Sequence, residues 1–218
     1  MEREPEFEPV FTMFYSFESQ PGDIISDSAF QQNINIELCI TDESNVRLKT
    51  VGKAQLKLLL IAAASNHGWD AEILFDSSES LMQLGCKIYD FESGDINQEL
   101  LYELDFDLFN EDIAILTSLE ILPEYRGMGL GKAMVRDICR NYSGSCGLLI
   151  VEIFPLQHDE GYYPDKDWHD QMEYNKMEKD FERSELKIKA FYKSLGFKFI
   201  ESIPEVMFIV PATVIVSE

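Results

Sequence analysis

The sequence predicts an α/β fold in which a sheet is flanked by helices, and three observations support this prediction. The first is an apolar run at residues 113–122 that has the length and composition of a buried strand. The second is a glycine-rich turn followed by a helical pattern, and the third is another apolar run at residues 148–154. Because strand, helix and strand follow closely, we expect a βαβ unit with parallel strands and a right-handed crossover.

Two further strands are predicted near the N-terminus. Residues 10–17 are rich in β-forming and aromatic side chains, and residues 34–40 alternate between apolar and polar positions. A Pro-Gly-Asp turn at residues 21–23 separates them. We interpret residues 1–50 as a strand-rich N-terminal extension and residues 51–218 as the main domain.

The segment before the βαβ unit is predicted to contain a strand, a helix and another strand. Residues 51–63 first alternate between apolar and polar side chains and then become continuously apolar, as in a strand that becomes buried on both faces. Asp76 followed by Glu79 resembles a capping box at the start of a helix whose apolar face holds Leu81, Leu84 and Ile88. The acidic residues 91–109 are predicted to include a strand around Leu100, Leu101, Leu104 and Phe106.

The glycine-rich turn begins at Pro123, which ends the strand because proline cannot donate to a sheet ladder. Two nucleotide-binding interpretations fit it poorly. A dinucleotide fingerprint needs a glycine where the chain has Lys132, and a nucleotide-hydrolase phosphate loop needs Ser or Thr where it has Ala133. A purely steric role of the glycines in a tight turn stays open at this point.

A third pattern, Arg-x-x-Gly-x-Gly, is matched by Arg126, Gly129 and Gly131. The helix that follows has apolar residues at helical spacing, namely Leu130, Met134, Val135 and Ile138. Its first turn exposes N–H groups and carries a partial positive charge, so it is suited to bind an anion.

After the second strand, residues 155–183 form a polar and aromatic segment. A metal site at His158 and His169 with neighbouring acids is conceivable, but their spacing matches no ligand pattern, so a loop that frames a substrate pocket is favoured. Residues 174–195 are predicted to form one long helix that ends at Gly196. Residues 197–200 and 205–210 are predicted to close the sheet as an antiparallel pair.

Composition restricts the class of protein. The 218 residues include 45% hydrophobic and 12% aromatic residues, which is enough for a packed core. The net charge of -22 opposes binding to nucleic acid or anionic membranes, and it either serves solubility or attracts a cationic substrate. No apolar run of about eighteen residues, no signal peptide and no Cys-x-x-Cys pair are present, so a reduced cytoplasmic protein is expected.

The Arg-x-x-Gly-x-Gly segment resembles the acyl-CoA pyrophosphate loop of the GNAT superfamily of N-acyltransferases. A second segment, Ala-Phe-Tyr-Lys-Ser-Leu-Gly-Phe at residues 190–197, resembles the family's helix end after the second strand. The resemblance covers residues 51–210 loosely and 113–200 well. It departs from the family at the insert of about residues 155–183, and the family's asparagine after the second strand is not evident.

This resemblance implies a GNAT fold with a central mixed, mostly antiparallel sheet, in which one parallel strand pair splays apart to hold acyl-CoA. It implies acetyl-CoA as acyl donor, no metal, and a primary amine of a small molecule or protein as acceptor. A monomer or a homodimer is expected. The residues expected to bind acetyl-CoA are Ile121, Leu122, Arg126, Gly127, Met128, Gly129, Leu130, Gly131 and Lys132.

The resemblance also implies catalytic roles. Tyr192 stands where the family places the acid that protonates the leaving thiolate, and a backbone N–H near Ile121 or Leu122 would stabilise the oxyanion. Glu152 and Glu120 are candidates for the base that deprotonates the amine. Two of these residues also have a purely structural interpretation: Tyr192 could be a packed aromatic residue, and Glu120 could be an outward-facing strand residue. The alternative for the whole chain is a catalytically silent GNAT-fold module that binds acyl-CoA or a protein.

Overall fold

A seven-stranded sheet runs through the protein in the computed structural model, which describes residues 9–18, 27–104, 108–159, 161 and 165–214. The first three strands are β1 (Val10–Phe17), β2 (Gln31–Thr41) and β3 (Arg47–Leu59), and neighbours are antiparallel. Both N-terminal strand predictions are confirmed, while the turn at residues 21–23 lies outside the described residues. The predicted division at residue 50 falls within β3 and stays a prediction.

Short helices and a two-stranded ribbon follow β3. In chain order they are α1 (Ile61–Asn66), α2 (Ala71–Phe75), α3 (Glu79–Ile88), β4 (Tyr89–Asp90), β5 (Asp95–Ile96) and α4 (Gln98–Tyr102). They cover one face of the sheet, where the buried side chains Leu74, Phe75, Leu84 and Leu100 pack in one cluster with residues of the central strands.

Three predictions for this segment are wrong in part. The strand predicted for residues 51–63 ends at Leu59, because three consecutive alanines then favour helix and the Asp112 carboxylate accepts the N–H of Ala62 at 2.9 Å. Helix α3 is capped by Ser78, which has an extended backbone and accepts the N–H of Leu81, rather than by Asp76.

The strand predicted within residues 91–109 is also wrong. Asn97 caps helix α4 there, since its side-chain oxygen accepts the N–H of Glu99 at 2.8 Å. Leu100, which was expected in that strand, is a fully buried helical residue. Phe106 lies outside the described residues.

The βαβ unit is confirmed: it consists of β6 (Ile113–Ile121), α5 (Leu130–Tyr142) and β7 (Leu148–Glu152). Strand β6 is antiparallel to β3 and parallel to β7. The parallel pairing ends at Leu116 and Val151, although β6 continues to Ile121. The two strands therefore separate beyond this point, as the resemblance implied.

The remaining elements are α6 (Lys166–Gln171), α7 (Phe181–Lys193), β8 (Lys198–Phe199), β9 (Val206–Ile209) and α8 (Pro211–Val214). Strand β9 is antiparallel to both β7 and β8, which confirms the closing pair and completes the order β1-β2-β3-β6-β7-β9-β8. This mostly antiparallel sheet with one parallel pair confirms the predicted fold class.

The single long helix predicted for residues 174–195 is wrong. Asp180 caps α7 by accepting the N–H of Arg183 at 2.9 Å, and Met177 has an extended backbone (ψ 173°). The cap and the extended residue separate α7 from a single 3-10 turn at Tyr174–Lys176. Gly196 follows α7 with φ 91°, a conformation that suits glycine at a helix end.

Alternation along the strands divides the side chains between two faces of the sheet. Leu148 and Ile150 of β7 pack with the layer of α1 to α4, whereas Leu149 and Val151 pack on the opposite face with α5 and α7. Tyr192 belongs to this second face. Within the described ranges, no helix is long and apolar enough to cross a membrane.

Candidate active site

A cavity of about 420 Å³ lies where β6 and β7 separate. The continuation of β6, helix α7 and the insert between β7 and α7 all contribute residues to its lining. The residues that line it are Leu116, Thr117, Ser118, Leu119, Glu120, Ile121, Arg126, Gly131, Glu152, Phe154, Leu156, Gln157, Met172, Tyr174, Met177, Glu178, Ser184, Lys187, Ile188, Phe191 and Tyr192. The structure therefore brings together all three predicted catalytic residues.

The glycine loop adjoins this cavity through Gly131. The first helical hydrogen bond of α5 runs from Ala133 N–H to the carbonyl of Gly129, and the N–H of Arg126 donates to the carbonyl of Pro123. Among the described residues, the six N–H groups at positions 127–132 have no hydrogen-bond partner. A row of unpaired donors at a helix start is suited to bind a pyrophosphate.

Two glycines in this loop have left-handed backbones, with φ 79° at Gly127 and 81° at Gly129. An added Cβ would meet nothing within 4 Å at either position, so backbone conformation and not space requires glycine. Met128 is exposed between them, and Lys132 is half-buried in the first turn of α5. The loop thus presents its backbone, with one cation nearby, to the solvent beside the cavity.

The guanidinium of Arg126 is directed to protein carbonyls. Its Nε donates to the carbonyl of Ile121 at 2.9 Å and its Nη2 to that of Met172 at 2.8 Å. Desolvation lowers the pKa of this side chain, although nearby acidic groups, including Glu120, act in the opposite direction. Arg126 therefore joins the end of β6 to the insert, a role that its place in the loop motif did not indicate.

Of the two predicted oxyanion donors, the geometry favours Ile121. The N–H of Leu122 donates to the carbonyl of Val51 on β3 at 2.9 Å, and the buried Leu122 side chain packs against Trp168 and Met172. Successive peptide groups in a strand point to opposite edges. The N–H of Ile121 therefore points away from β3, towards the gap between β6 and β7.

Tyr192 lies in the wall of the cavity near the end of α7. It is only 7% exposed, and its ring centroid lies 5.0 Å from those of both Phe191 and Phe197. Its hydroxyl has no hydrogen-bond partner among the described residues, and burial raises the pKa of this phenol above its ordinary value. A phenol that stays protonated and has an unused hydroxyl can donate a proton within the cavity.

Glu152 is the last residue of β7. Its place in the otherwise apolar run at residues 148–154 predicts a buried carboxylate, but the side chain is exposed, because β7 ends there and the parallel partner strand has already separated. Partial desolvation raises its pKa; the positive charge of Lys87 opposes this shift and the negative charge of Glu205 adds to it. Lys87 and Glu205 form an ion pair of 2.8 Å.

Glu120 is half-buried in the continuation of β6, opposite Lys53 of β3. One of its oxygens, Oε1, accepts a hydrogen bond from the phenol of Tyr174 in the insert. The interpretation of Glu120 as a merely outward-facing strand residue is therefore incomplete, since the insert covers it.

The insert supplies several residues that sequence reasoning did not single out. Gln157 donates to the hydroxyl of the buried Ser184 at 2.9 Å, and Lys187 forms an ion pair of 3.2 Å with Glu178. Lys53 of β3 forms an ion pair of 2.7 Å with Asp165. Ser184 was visible in the sequence as the polar member of an apolar helix face, but nothing indicated its partner.

The two insert histidines lie in aromatic contacts. The ring centroid of His158 is 5.3 Å from that of Phe181, and the ring centroid of His169 is 5.1 Å from that of Tyr174. No group of three or more His, Cys, Asp or Glu residues in the described part of the chain could hold a metal ion.

No protein-family model matches the chain, and no curated protein matches it. Several solved structures resemble it at low identity. A structure of a tyrosine-to-phenylalanine variant of the toxin AtaT with the C-terminus of the antitoxin AtaR and acetyl-CoA is 13% identical, with a TM-score of 0.40, and the match covers 85% of this chain and 74% of that chain.

Two other solved structures contain nucleic acid. AtaT complexed with acetyl-methionyl-tRNAfMet is 11% identical, with a TM-score of 0.39 and coverage of 94% of this chain and 98% of that chain. The KacTA–DNA complex is 13% identical, with a TM-score of 0.38 and coverage of 85% and 70%. The residues of the site, and not these distant similarities, carry the function proposed below.

Proposed function

We propose that this protein is an acyl-CoA-dependent N-acyltransferase of the GNAT superfamily that transfers an acetyl group to a primary amine. One observation carries the proposal: the gap between the separated parallel strands contains a free phenol and two carboxylates, and it adjoins six unpaired backbone donors. The donors suit the pyrophosphate of coenzyme A. The phenol and the carboxylates suit the two proton transfers that aminolysis of a thioester requires.

The reaction begins with loss of a proton from the acceptor. A lysine-like ammonium has a pKa of about 10.4 and is not nucleophilic at neutral pH, so Glu152 or Glu120 takes one proton. The neutral amine attacks the thioester carbon and forms the C–N bond, while the N–H of Ile121 donates to the oxyanion. When the C–S bond breaks, Tyr192 protonates the thiolate, and the phenolate takes the proton that the new amide nitrogen loses.

Acyl transfer to a panel of amines tests the proposal against a catalytically silent module. Incubation with acetyl-CoA and primary amines, peptides with free lysines and an aminoacyl-tRNA should yield thiol release together with an acetylated amine, detected by mass. Binding of acetyl-CoA without transfer to any amine would favour the silent module. Acetylation of the aminoacyl-tRNA would contradict the expectation, drawn from the net charge, that nucleic acid is not a partner.

We propose further that the acceptor is cationic and that the insert helps to bind it. The described residues that line the cavity include three carboxylates, those of Glu120, Glu152 and Glu178, against two cations. Both cations already have partners, since Arg126 bonds two carbonyls and Lys187 pairs with Glu178. The excess negative charge favours an ammonium group, whose apolar body can pack against Phe154 and the other apolar lining residues.

Added salt should therefore weaken acceptor binding. At saturating acetyl-CoA, kcat/KM for the acceptor is expected to fall several-fold as NaCl rises from about 0.05 M to 0.5 M, because the Debye length shortens to a few ångströms. The turnover number kcat should change little. Sucrose at equal osmolality is the control for non-ionic effects. A preferred acceptor that is neutral or anionic, with a salt-independent kcat/KM, would contradict the proposal.

A further inference from the structure

Two cross-links join the end of β6 to the insert. In the first, the phenol of Tyr174 donates to Oε1 of Glu120. In the second, Arg126 donates to the carbonyl of Ile121, the neighbour of Glu120, and to the carbonyl of Met172, two residues before Tyr174. The two cross-links lie side by side and fix the insert over the part of β6 that lines the cavity.

The Tyr174 side chain is itself held in place. Its ring centroid lies 5.1 Å from that of His169, and its carbonyl accepts the N–H of Met177 at 3.1 Å in the 3-10 turn. The buried Met172 anchors the preceding residues against Leu122 and Trp168. A hydroxyl on a ring so constrained can fix the orientation of the carboxylate to which it donates.

Glu152 has no equivalent hydrogen bond to another described residue. Its side chain is exposed at the end of β7, and the charges that shift its pKa belong to the Lys87–Glu205 ion pair, whose residues are not among those that line the cavity. The other oxygen of Glu120, Oε2, has no hydrogen-bond partner among the described residues. Of the two candidate bases, Glu120 is therefore the one whose orientation the tertiary structure fixes.

We propose that Tyr174 is a positioning residue that holds Glu120 with its free oxygen available to the acceptor amine, so that the insert forms part of the proton-transfer apparatus. The step balances: an N–H bond of the ammonium breaks, the proton forms an O–H bond with Oε2 of Glu120, and the nitrogen retains the electron pair that attacks the thioester. This inference rests on the proposed acyltransferase function and assigns the insert a role in it.

Removal of the phenol oxygen tests the assignment. Tyr174→Phe keeps the ring contact with His169 but loses the bond to Glu120. General base catalysis contributes about a hundredfold or more, so loss of its positioning should lower kcat about tenfold. The acceptor KM and the acetyl-CoA affinity should change less than about twofold. Tyr102→Phe is the matched control, because that phenol is 88% exposed on α4, away from the cavity.

A double variant separates positioning from general damage. If Tyr174 acts through Glu120, Glu120→Gln should lower kcat about a hundredfold, and adding Tyr174→Phe should lower it no further. Full turnover in Tyr174→Phe, or additive losses in the double variant, would overturn the inference. A larger loss in Glu152→Gln than in Glu120→Gln would assign the base to Glu152 and overturn it as well.

A measurement without substrate keeps this inference distinct from the proposed function. In protein labelled with [4-13C]tyrosine, the Tyr174 resonance is identified by its loss in Tyr174→Phe. It should move in Glu120→Gln and stay in place in Glu152→Gln; no movement in Glu120→Gln would overturn the contact. If the wild-type protein acetylates no amine, the proposed function fails; if it is active and Tyr174→Phe equals it, only the positioning role fails.

Discussion

Replacing Tyr192 by phenylalanine is expected to lower kcat about a hundredfold, the usual contribution of general acid catalysis, and to leave acetyl-CoA affinity unchanged. Tyr192 lines the cavity and its hydroxyl has no hydrogen-bond partner among the described residues, so the substitution breaks none of the described hydrogen bonds and leaves the contacts with Phe191 and Phe197. Single-turnover kinetics with the acceptor, together with calorimetric titration of acetyl-CoA, would measure the two quantities separately.

The pH profile gives a second test of the same residue. The proposed acid Tyr192 would act in its protonated form, and burial raises its pKa above the ordinary value of about 10, so turnover should show no falling limb below about pH 10. Tyr142→Phe is a control: its half-buried phenol also has a pKa raised by desolvation, but it lies at the end of α5, outside the cavity. Full activity of Tyr192→Phe would show that the residue only packs.

Gly129→Asp is expected to weaken acetyl-CoA binding by about a hundredfold or more. The substitution places a carboxylate at the start of α5, where it repels the pyrophosphate and competes for the unpaired N–H groups. It also forces a side chain into a left-handed backbone of φ 81°. Calorimetric titration with acetyl-CoA measures the loss directly.

Gly129→Asn separates the effect of the added charge from the effect of backbone strain. Asparagine has nearly the same shape as aspartate, carries no charge and tolerates the left-handed conformation. It should weaken binding far less than Gly129→Asp. Thermal unfolding of both variants controls for damage to the fold. Unchanged acetyl-CoA affinity in Gly129→Asp would remove the glycine loop from the proposed binding site.

Short-range patterns predicted the central part of the fold. The apolar runs that became β6 and β7, and the glycines between them, are features of about ten residues each. Their order requires a parallel pair, because a helix between two strands returns the chain to the same end of the sheet. The antiparallel pair β8 and β9 and the N-terminal strands were likewise predictable, since each strand is a short local run rich in apolar, aromatic or alternating residues.

The errors arose where several local signals compete. In residues 174–195 the apolar side chains recur at the spacing of one continuous helix, but the cap at Asp180 and the extended backbone of Met177 interrupt that helix. At residues 76–79, Asp76 and Ser78 can both cap a helix, and the backbone at Ser78 decides between them. A side chain can cap a helix only if its own backbone is extended, and the residue types in the sequence do not specify which of two candidates adopts that conformation.

The sequence by itself determined where the glycine loop and Tyr192 would lie, because a helix start and a helix end are set by residues a few positions apart. The tertiary structure alone decided what surrounds the cavity. Tyr174 meets Glu120 across 54 positions of the chain, and Arg126 meets Met172 across 46. Neither pair has a local pattern, since both depend on how the insert folds back over the gap left by the separated strands.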